Sequence, residues 1–138
     1  MHKSLYCLLV TLALALSACS GTLTFKIKGT QKLPDADGRI DVTPVEDQGL
    51  STLKIDLEHL APPDRLAPNA THYVAWARRT SDGLYSRVGA LKYNKDKRVG
   101  VIEATAPETS FTLTITAEVS ANPAAPSTNV ALEQKVQK

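Results

Sequence analysis

Apolar and polar residues alternate along most of the chain after residue 21. In TLTFKIK (22–28), the apolar Leu23, Phe25 and Ile27 alternate with threonines and lysines. TLKIDLE (52–58) has the same period of two, which is typical of a strand with one buried face. The pattern therefore predicts half-buried strands in both segments.

The segment SFTLTITAEV (110–119) has the clearest alternation in the chain. Its apolar residues share one face of an extended chain, so a third half-buried strand is predicted. The other face is expected to be exposed, and it carries the polar residues Thr112, Thr114, Thr116 and Glu118.

Shorter segments also favour strands, and residues that tolerate tight turns separate them. They cover residues 39–45, 72–79, 85–93, 99–106 and 129–136. LAPPDRLAPNA (60–70) contains three prolines. Because proline has no N–H for a ladder, this segment is predicted to connect two sheets. The predicted fold is all-β, an Ig-like antiparallel β-sandwich of about seven to eight strands.

The first 18 residues have the layout of a secretory signal. Lys3 precedes an apolar segment, residues 5–16, which is shorter than the roughly 20 residues that cross a hydrocarbon core. The following LSAC resembles the bacterial lipobox, in which the signal is removed before the cysteine and the cysteine is lipidated. This resemblance makes Cys19 the lipidated residue and assigns signal recognition to Leu16, Ser17 and Ala18. The alternative is an ordinary secretory signal that leaves Cys19 as a free thiol.

This layout divides the chain into a cleaved signal peptide (1–18), a lipidated cysteine with a short tether (19–21) and a β-sandwich domain (22–138). Ser20 and Gly21 form the tether, so the domain is expected within about 10 Å of the bilayer. The expected location is a membrane outside the cytoplasm. By resemblance to sorted lipoproteins, a residue other than aspartate after the cysteine favours the outer membrane where the cell has one.

The charge balance argues against nucleic-acid binding. The chain has 16 Lys and Arg against 14 Asp and Glu, and removal of the signal lowers the net charge from +2 to +1 because Lys3 is lost. Such a balance gives no basic footprint for a nucleic acid. Both cysteines, Cys7 and Cys19, precede the domain, so no disulfide is predicted within it.

Three segments carry a resemblance to a known family: LEHLAPPDRLAPNATHYVAWA (57–77), GLYSRVGALKY (83–93) and FTLTITAEVSANPAAPS (111–127). They resemble the extracytoplasmic β-sandwich at the C-terminus of anti-sigma-K-type factors and of similar stand-alone lipoproteins. The resembling positions are Leu60, Pro62, Pro63, Tyr73, Trp76, Gly83, Gly89 and Leu91. Those regulators also have a sigma-binding segment and a transmembrane helix, which this sequence lacks. The resemblance therefore implies a fold and an extracytoplasmic setting, not sigma-factor sequestration.

Two segments contain residues that could hold a cation. DADGRID (35–41) resembles the middle of a calcium loop, with Asp35, Asp37 and Asp41 as ligands, but the closing bidentate acid of such a loop is missing. A solvated hairpin turn is favoured there. His59 and His72 bracket the proline-rich connection, and two ligands make a poor metal site. They are predicted to be polar residues at strand ends, and no cofactor is expected.

Tyr73 and Trp76 could form an aromatic platform for a sugar or peptide. Trp76 alternates with Val74, however, and a lone tryptophan in a small sandwich is most often a core residue whose N–H is bonded nearby. A core position is therefore favoured for Trp76.

Basic residues gather between positions 78 and 98. They are Arg78, Arg79, Arg87, Lys92, Lys95, Lys97 and Arg98. Charged residues of this kind commonly protect a hairpin tip and edge strands from aggregation. The alternative is contact with anionic lipid heads or an acidic envelope polymer.

The predicted function is that of a lipid-anchored cell-envelope protein whose domain binds or supports a partner without catalysis. Its partners are expected to be the membrane, through the lipid, and an envelope protein or anionic polymer. No G-x-S-x-G nucleophile motif occurs, which disfavours an enzyme. The alternatives are a regulatory module of the anti-sigma type with a membrane-spanning partner, and a small envelope hydrolase.

Overall fold

The computed structural model describes residues 21–137, so the signal peptide and the lipobox residues 16–19 lie outside the described part of the chain. These residues form nine strands. They are β1 (Leu23–Lys28), β2 (Asp37–Val45), β3 (Leu50–Glu58), β4 (His72–Arg79), β5 (Tyr85–Ala90), β6 (Lys92–Asn94), β7 (Val99–Ala106), β8 (Phe111–Glu118) and β9 (Val130–Val136). A one-turn helix, α1 (Pro63–Leu66), and a 3-10 turn (Glu46–Gln48) complete the described structure.

The strands form two antiparallel sheets. One has the order β1-β2-β3-β7-β6 and the other the order β5-β4-β8-β9. The strand order β2-β3-β7-β6 is that of the ABED sheet of immunoglobulin domains, and the order β5-β4-β8-β9 is that of their C′CFG sheet. Strand β1 extends the first sheet beside β2. The predicted Ig-like sandwich is confirmed, with nine strands instead of seven or eight.

Residues 85–93, predicted as one strand, form two strands in different sheets. β5 belongs to the four-stranded sheet and β6 to the five-stranded sheet. The chain changes sheet at Leu91, whose N–H donates to the carbonyl of Tyr73 at 2.8 Å and whose side chain is buried. Burial of this leucine in the core is the physical reason for the break, and a period of two cannot reveal it.

The inner faces of the two sheets form the core. Its largest members are fully buried: Tyr73, Phe111, Ile40, Ile55, Leu57, Leu60, Leu113, Ile115 and Leu132. Apart from Leu60, which follows β3, these residues belong to the predicted strands. Tyr73 also donates its hydroxyl to the carbonyl of Ala61 at 2.6 Å, and its ring meets Tyr93 edge-on with centroids 5.7 Å apart.

The prediction that one face of β8 is exposed is wrong, because all eight residues of this strand are buried. The chain that follows β8 is bonded to this outer side of the sheet. Ser127 donates its backbone N–H to Glu118 at 2.8 Å, and Arg87 donates to the carbonyl of Ala121 at 3.2 Å. Residues 119–129 therefore lie against a face that the alternation alone would leave in water.

Trp76 lies on this same outer face, opposite Thr114 in the strand register. It is 2% exposed, and its indole N–H donates to Thr116 at 2.9 Å. The burial of Trp76 and the bond of its N–H are thus as predicted, and the aromatic platform is not formed. Trp76 faces away from the inter-sheet core, however, because its register partner on β8 is a threonine of the outer face.

The proline-rich segment connects β3 of one sheet to β4 of the other, as predicted. Pro63 begins α1, a position where a proline loses no helical hydrogen bond. Within residues 21–137, no helix is long and apolar enough to span a membrane.

The connections between strands gather at the two ends of the sandwich. The end where β1 begins, here called the tether end, contains residues 45–50, 79–85 and 106–111. The opposite end, here called the far end, contains residues 28–37, 58–72, 94–99 and 118–130. Strands of eight residues at about 3.3 Å per residue place the two ends roughly 25–30 Å apart.

Candidate functional site at the far end

Three side chains with metal-binding or acid–base chemistry meet at the far end. Asp37 begins β2 and Glu58 ends β3, and the two residues are direct partners in the antiparallel register. His59 follows Glu58, and its Nδ1 lies 2.7 Å from Oδ1 of Asp37. One nitrogen or oxygen atom of each of the three residues lies within 4.8 Å of the other two.

The backbone around His59 is held in an uncommon conformation. His59 has φ 53° and Arg98, in the β6–β7 turn, has φ 54°. This left-handed region costs an L-residue roughly 1–2 kcal/mol. Arg98 donates from its guanidinium to the carbonyl of His59 at 3.3 Å, and its own carbonyl accepts from Leu60 at 2.9 Å. Both bonds hold the His59–Leu60 peptide, immediately after the histidine.

The electrostatics of the site are unbalanced. Asp37 and Glu58 are like charges directly opposite each other on adjacent strands, which is a destabilising arrangement. The hydrogen bond to Asp37, and then the charge of Asp37, raise the pKa of His59. Within the described residues Glu58 has neither a hydrogen-bond nor an ion-pair partner for its carboxylate.

The site is open to solvent. The His59 side chain is 63% exposed and that of Asp37 is 50% exposed. A groove of about 500 Å³ on the outer face of the five-stranded sheet reaches Asp37 and Glu58 and is also lined by Lys26 and Lys28. A small ion or a polar group of a partner can therefore approach all three side chains.

The calcium loop weighed for residues 35–41 is not formed. Asp37 and Asp41 belong to the same strand, four residues and about 13 Å apart along it. Asp41 instead accepts from Thr24 at 2.7 Å and from Arg39 at 2.9 Å, and these two bonds lower its pKa. The hairpin turn favoured for residues 35–41 is also wrong for most of that segment, because residues 37–41 belong to β2 and the connection from β1 covers residues 29–36.

The two histidines lie at strand ends, as predicted, but they do not share a site. His72 begins β4, and its Nδ1 lies 2.8 Å from the hydroxyl of Thr71. Within residues 21–137, His59 belongs to a group of three potential metal ligands, whereas His72 does not. Glu58 was missed at the sequence level because it occupies an ordinary polar position of an alternating strand. The pairing register of β2 and β3 is the signal that identifies it.

The seven basic residues do not form one patch. Arg78 and Arg79 lie at the tether end of β4 and have acidic partners: Arg78 lies 3.6 Å from Glu133, and Arg79 bonds Glu108 at 2.7 Å and Asp82 at 3.3 Å. The bond to Glu108 and the charge of this residue raise the pKa of Arg79.

The other basic residues lie elsewhere. Arg87 holds Ala121 on the outer face of the four-stranded sheet. The remaining ones belong to β6 and to the β6–β7 turn at the far end: Lys92, Lys95, Lys97 and Arg98. Within residues 21–137, Lys95 and Lys97 make no ion pair shorter than 4 Å. The sequence cluster is therefore split between the two ends of the domain.

No protein-family model matches the chain, and no curated protein matches it. The resemblance to the anti-sigma-K-type domain stays a prediction.

Proposed function

We propose that the protein is a lipid-anchored cell-envelope protein, outside the cytoplasm, whose sandwich binds or supports a partner and does not catalyse a reaction. The proposal joins the LSAC lipobox to one structural observation. Strand β1 begins at Leu23, four residues after Cys19, so a lipid at Cys19 would hold the tether end within about 14 Å of the bilayer.

The side chains at the tether end suit this orientation. Leu84 and Tyr85, after the β4–β5 turn, are 64% and 43% exposed, and apolar and aromatic side chains are favourable at a membrane interface. The charges of Arg78 and Arg79 are already paired with acidic residues, so attraction to anionic lipid is not needed to explain them.

The far end would then point away from the bilayer by the length of the sandwich, about 25–30 Å. Lys95 and Lys97 lie in its β6–β7 turn, and the Asp37–Glu58–His59 cluster lies beside it. At this distance the lysines are beyond the Debye length of about 8 Å from lipid head groups. Their place supports contact with an envelope protein or an anionic polymer more than contact with the lipid surface.

The contacts of the two histidines bear on the alternative of a serine hydrolase. A hydrolase of the serine type needs a nucleophile within hydrogen-bond reach of a base. Among residues 21–137, neither His59 nor His72 is hydrogen-bonded to a serine.

Two measurements test the anchor and the orientation. Mass spectrometry of the protein isolated from cells should find an acylated N-terminus at Cys19, and Cys19→Ala should leave the membrane fraction. A photo-crosslinking amino acid at Leu84 should capture lipid, whereas the same group at Lys97 should capture a non-lipid partner. A protein that begins at Met1, or equal lipid capture at both positions, would refute the proposal.

A further inference from the structure

We propose that Asp37, Glu58 and His59 form a binding site for a divalent transition cation of the zinc class at the far end of the sandwich. The inference rests on the described residues alone and does not depend on the lipid anchor. It concerns a set of residues that no sequence motif brings together, since Asp37 and His59 are 22 positions apart.

The donor set selects the class of cation. One imidazole nitrogen and two carboxylate oxygens match zinc, which accepts nitrogen and oxygen ligands at about 2.0–2.2 Å. Magnesium and calcium prefer sites made of oxygen alone. Three protein ligands with solvent access leave the fourth position of a tetrahedron for water or for a group from a partner.

The geometry needs only side-chain adjustment. Ligand atoms around a tetrahedral ion at about 2.0 Å lie roughly 3.3 Å from one another, whereas here they lie within 4.8 Å. Glu58 and His59 are exposed, so rotation of their side chains can close the difference. The backbone itself is set by the β2–β3 register at Asp37 and Glu58 and by the bond from Arg98 to the carbonyl of His59.

The charges also favour a cation. Asp37 and Glu58 repel each other across the strand pair. Lys28 is the register partner of Asp37 on its other side, yet it makes no ion pair shorter than 4 Å with any described residue. A divalent ion between the two carboxylates would attract both of them and so offset their mutual repulsion. It would also take the place of the proton shared between His59 and Asp37.

The test is a zinc titration of the full chain in detergent. The protein is first treated with a chelator to remove bound metal, and zinc binding is then measured by calorimetry. The variants are Glu58→Gln and His59→Asn, and the matched control is His72→Asn at the same end of the domain. Asparagine tolerates the left-handed conformation that His59 adopts, so the fold should survive. His2, Cys7 and Cys19 are common to all four proteins, so the site is identified by differences between them.

We expect the wild type and His72→Asn to bind zinc alike, and each of the two site variants to bind at least about tenfold more weakly. Thermal melting provides a second measurement. Without zinc, Glu58→Gln should melt at the wild-type temperature or slightly above it, because a like-charge pair is removed. With zinc, the wild type and His72→Asn should gain more stability than the two site variants. Equal binding by all four proteins, or an equal loss in His72→Asn, would overturn the site.

Discussion

Thr116 joins two buried polar groups on the outer face of the four-stranded sheet, and Thr116→Val isolates their contribution. Its hydroxyl accepts from the indole N–H of Trp76 at 2.9 Å and donates to Glu118 at 2.5 Å. Valine keeps the shape but leaves the buried N–H without its acceptor, at a cost of about 1–3 kcal/mol, and removes a hydrogen bond to a carboxylate, worth about 1.5–3 kcal/mol. The two bonds belong to one network, so their contributions are not additive. We therefore expect Thr116→Val to lower the free energy of unfolding by about 2–4 kcal/mol.

Thr114→Val is the matched control on the same strand and face. Thr114 is 2% exposed, and its hydroxyl has no hydrogen-bond partner within the described residues. Valine at this position should therefore be neutral, or stabilising by up to about 1 kcal/mol. The two substitutions remove the same chemical group, so their difference measures the bonds of Thr116.

Urea unfolding followed by fluorescence is a direct assay, since Trp76 is the single tryptophan of the chain. In thermal unfolding, Thr116→Val should also lower the melting temperature by about 8–16 °C, at roughly 4 °C per kcal/mol for a domain of this size. If Thr114→Val costs as much as Thr116→Val, the hydrogen-bond network is not what stabilises this face, and the reasoning fails.

Three further predictions follow from burial, backbone contact and ionisation. Trp76→Ala should cost about 3–5 kcal/mol in unfolding free energy, and a loss below about 1 kcal/mol would contradict its buried position. Gly38→Ala should lower the free energy of unfolding by about 1–3 kcal/mol, because a Cβ there would lie 2.4 Å from the carbonyl oxygen of Asp56. A urea unfolding curve identical to that of the wild type would show that β2 and β3 can move apart easily. The pKa of Asp41 is lowered from 3.8, first by the hydrogen bond that its carboxylate accepts from Thr24. The charged form of Asp41 therefore stabilises the fold above about pH 3.8, and this stabilisation is lost as the pH falls through the lowered pKa. Asp41→Asn should therefore be less stable than the wild type at neutral pH, and the gap should shrink in acid melting curves; a constant gap would rule out this linkage.

The strands were predictable where one face is buried and the other is wet. The alternation of Leu23, Phe25 and Ile27 matches β1, and the apolar residues of β3 and β8 fill the core. The prolines of residues 60–70 correctly indicated a connection between sheets, since proline cannot donate to a ladder. These features are local, so a short window of sequence contains them.

The errors arose where a second layer covers a polar face or where the chain changes sheet. Thr116 and Glu118 are buried because residues 119–129 are bonded over them, and no local pattern indicates such a cover. Residues 85–93 divide at Leu91 because its side chain belongs to the core. The basic residues separated between the two ends for a similar reason, because neighbours in sequence need not share an end of a sandwich.

Periodicity, proline content and the lipobox are local properties of the chain, so the strands, the sandwich class and the prediction of a lipid anchor follow from the amino-acid sequence. Which polar groups meet depends instead on how the strands pair and pack. Asp37, Glu58 and His59 lie together because β2 and β3 pair in one register, and a shift of one residue would turn their side chains to the opposite face. Such long-range pairing depends on the packing of the whole core, and the candidate site therefore could not be read from the sequence.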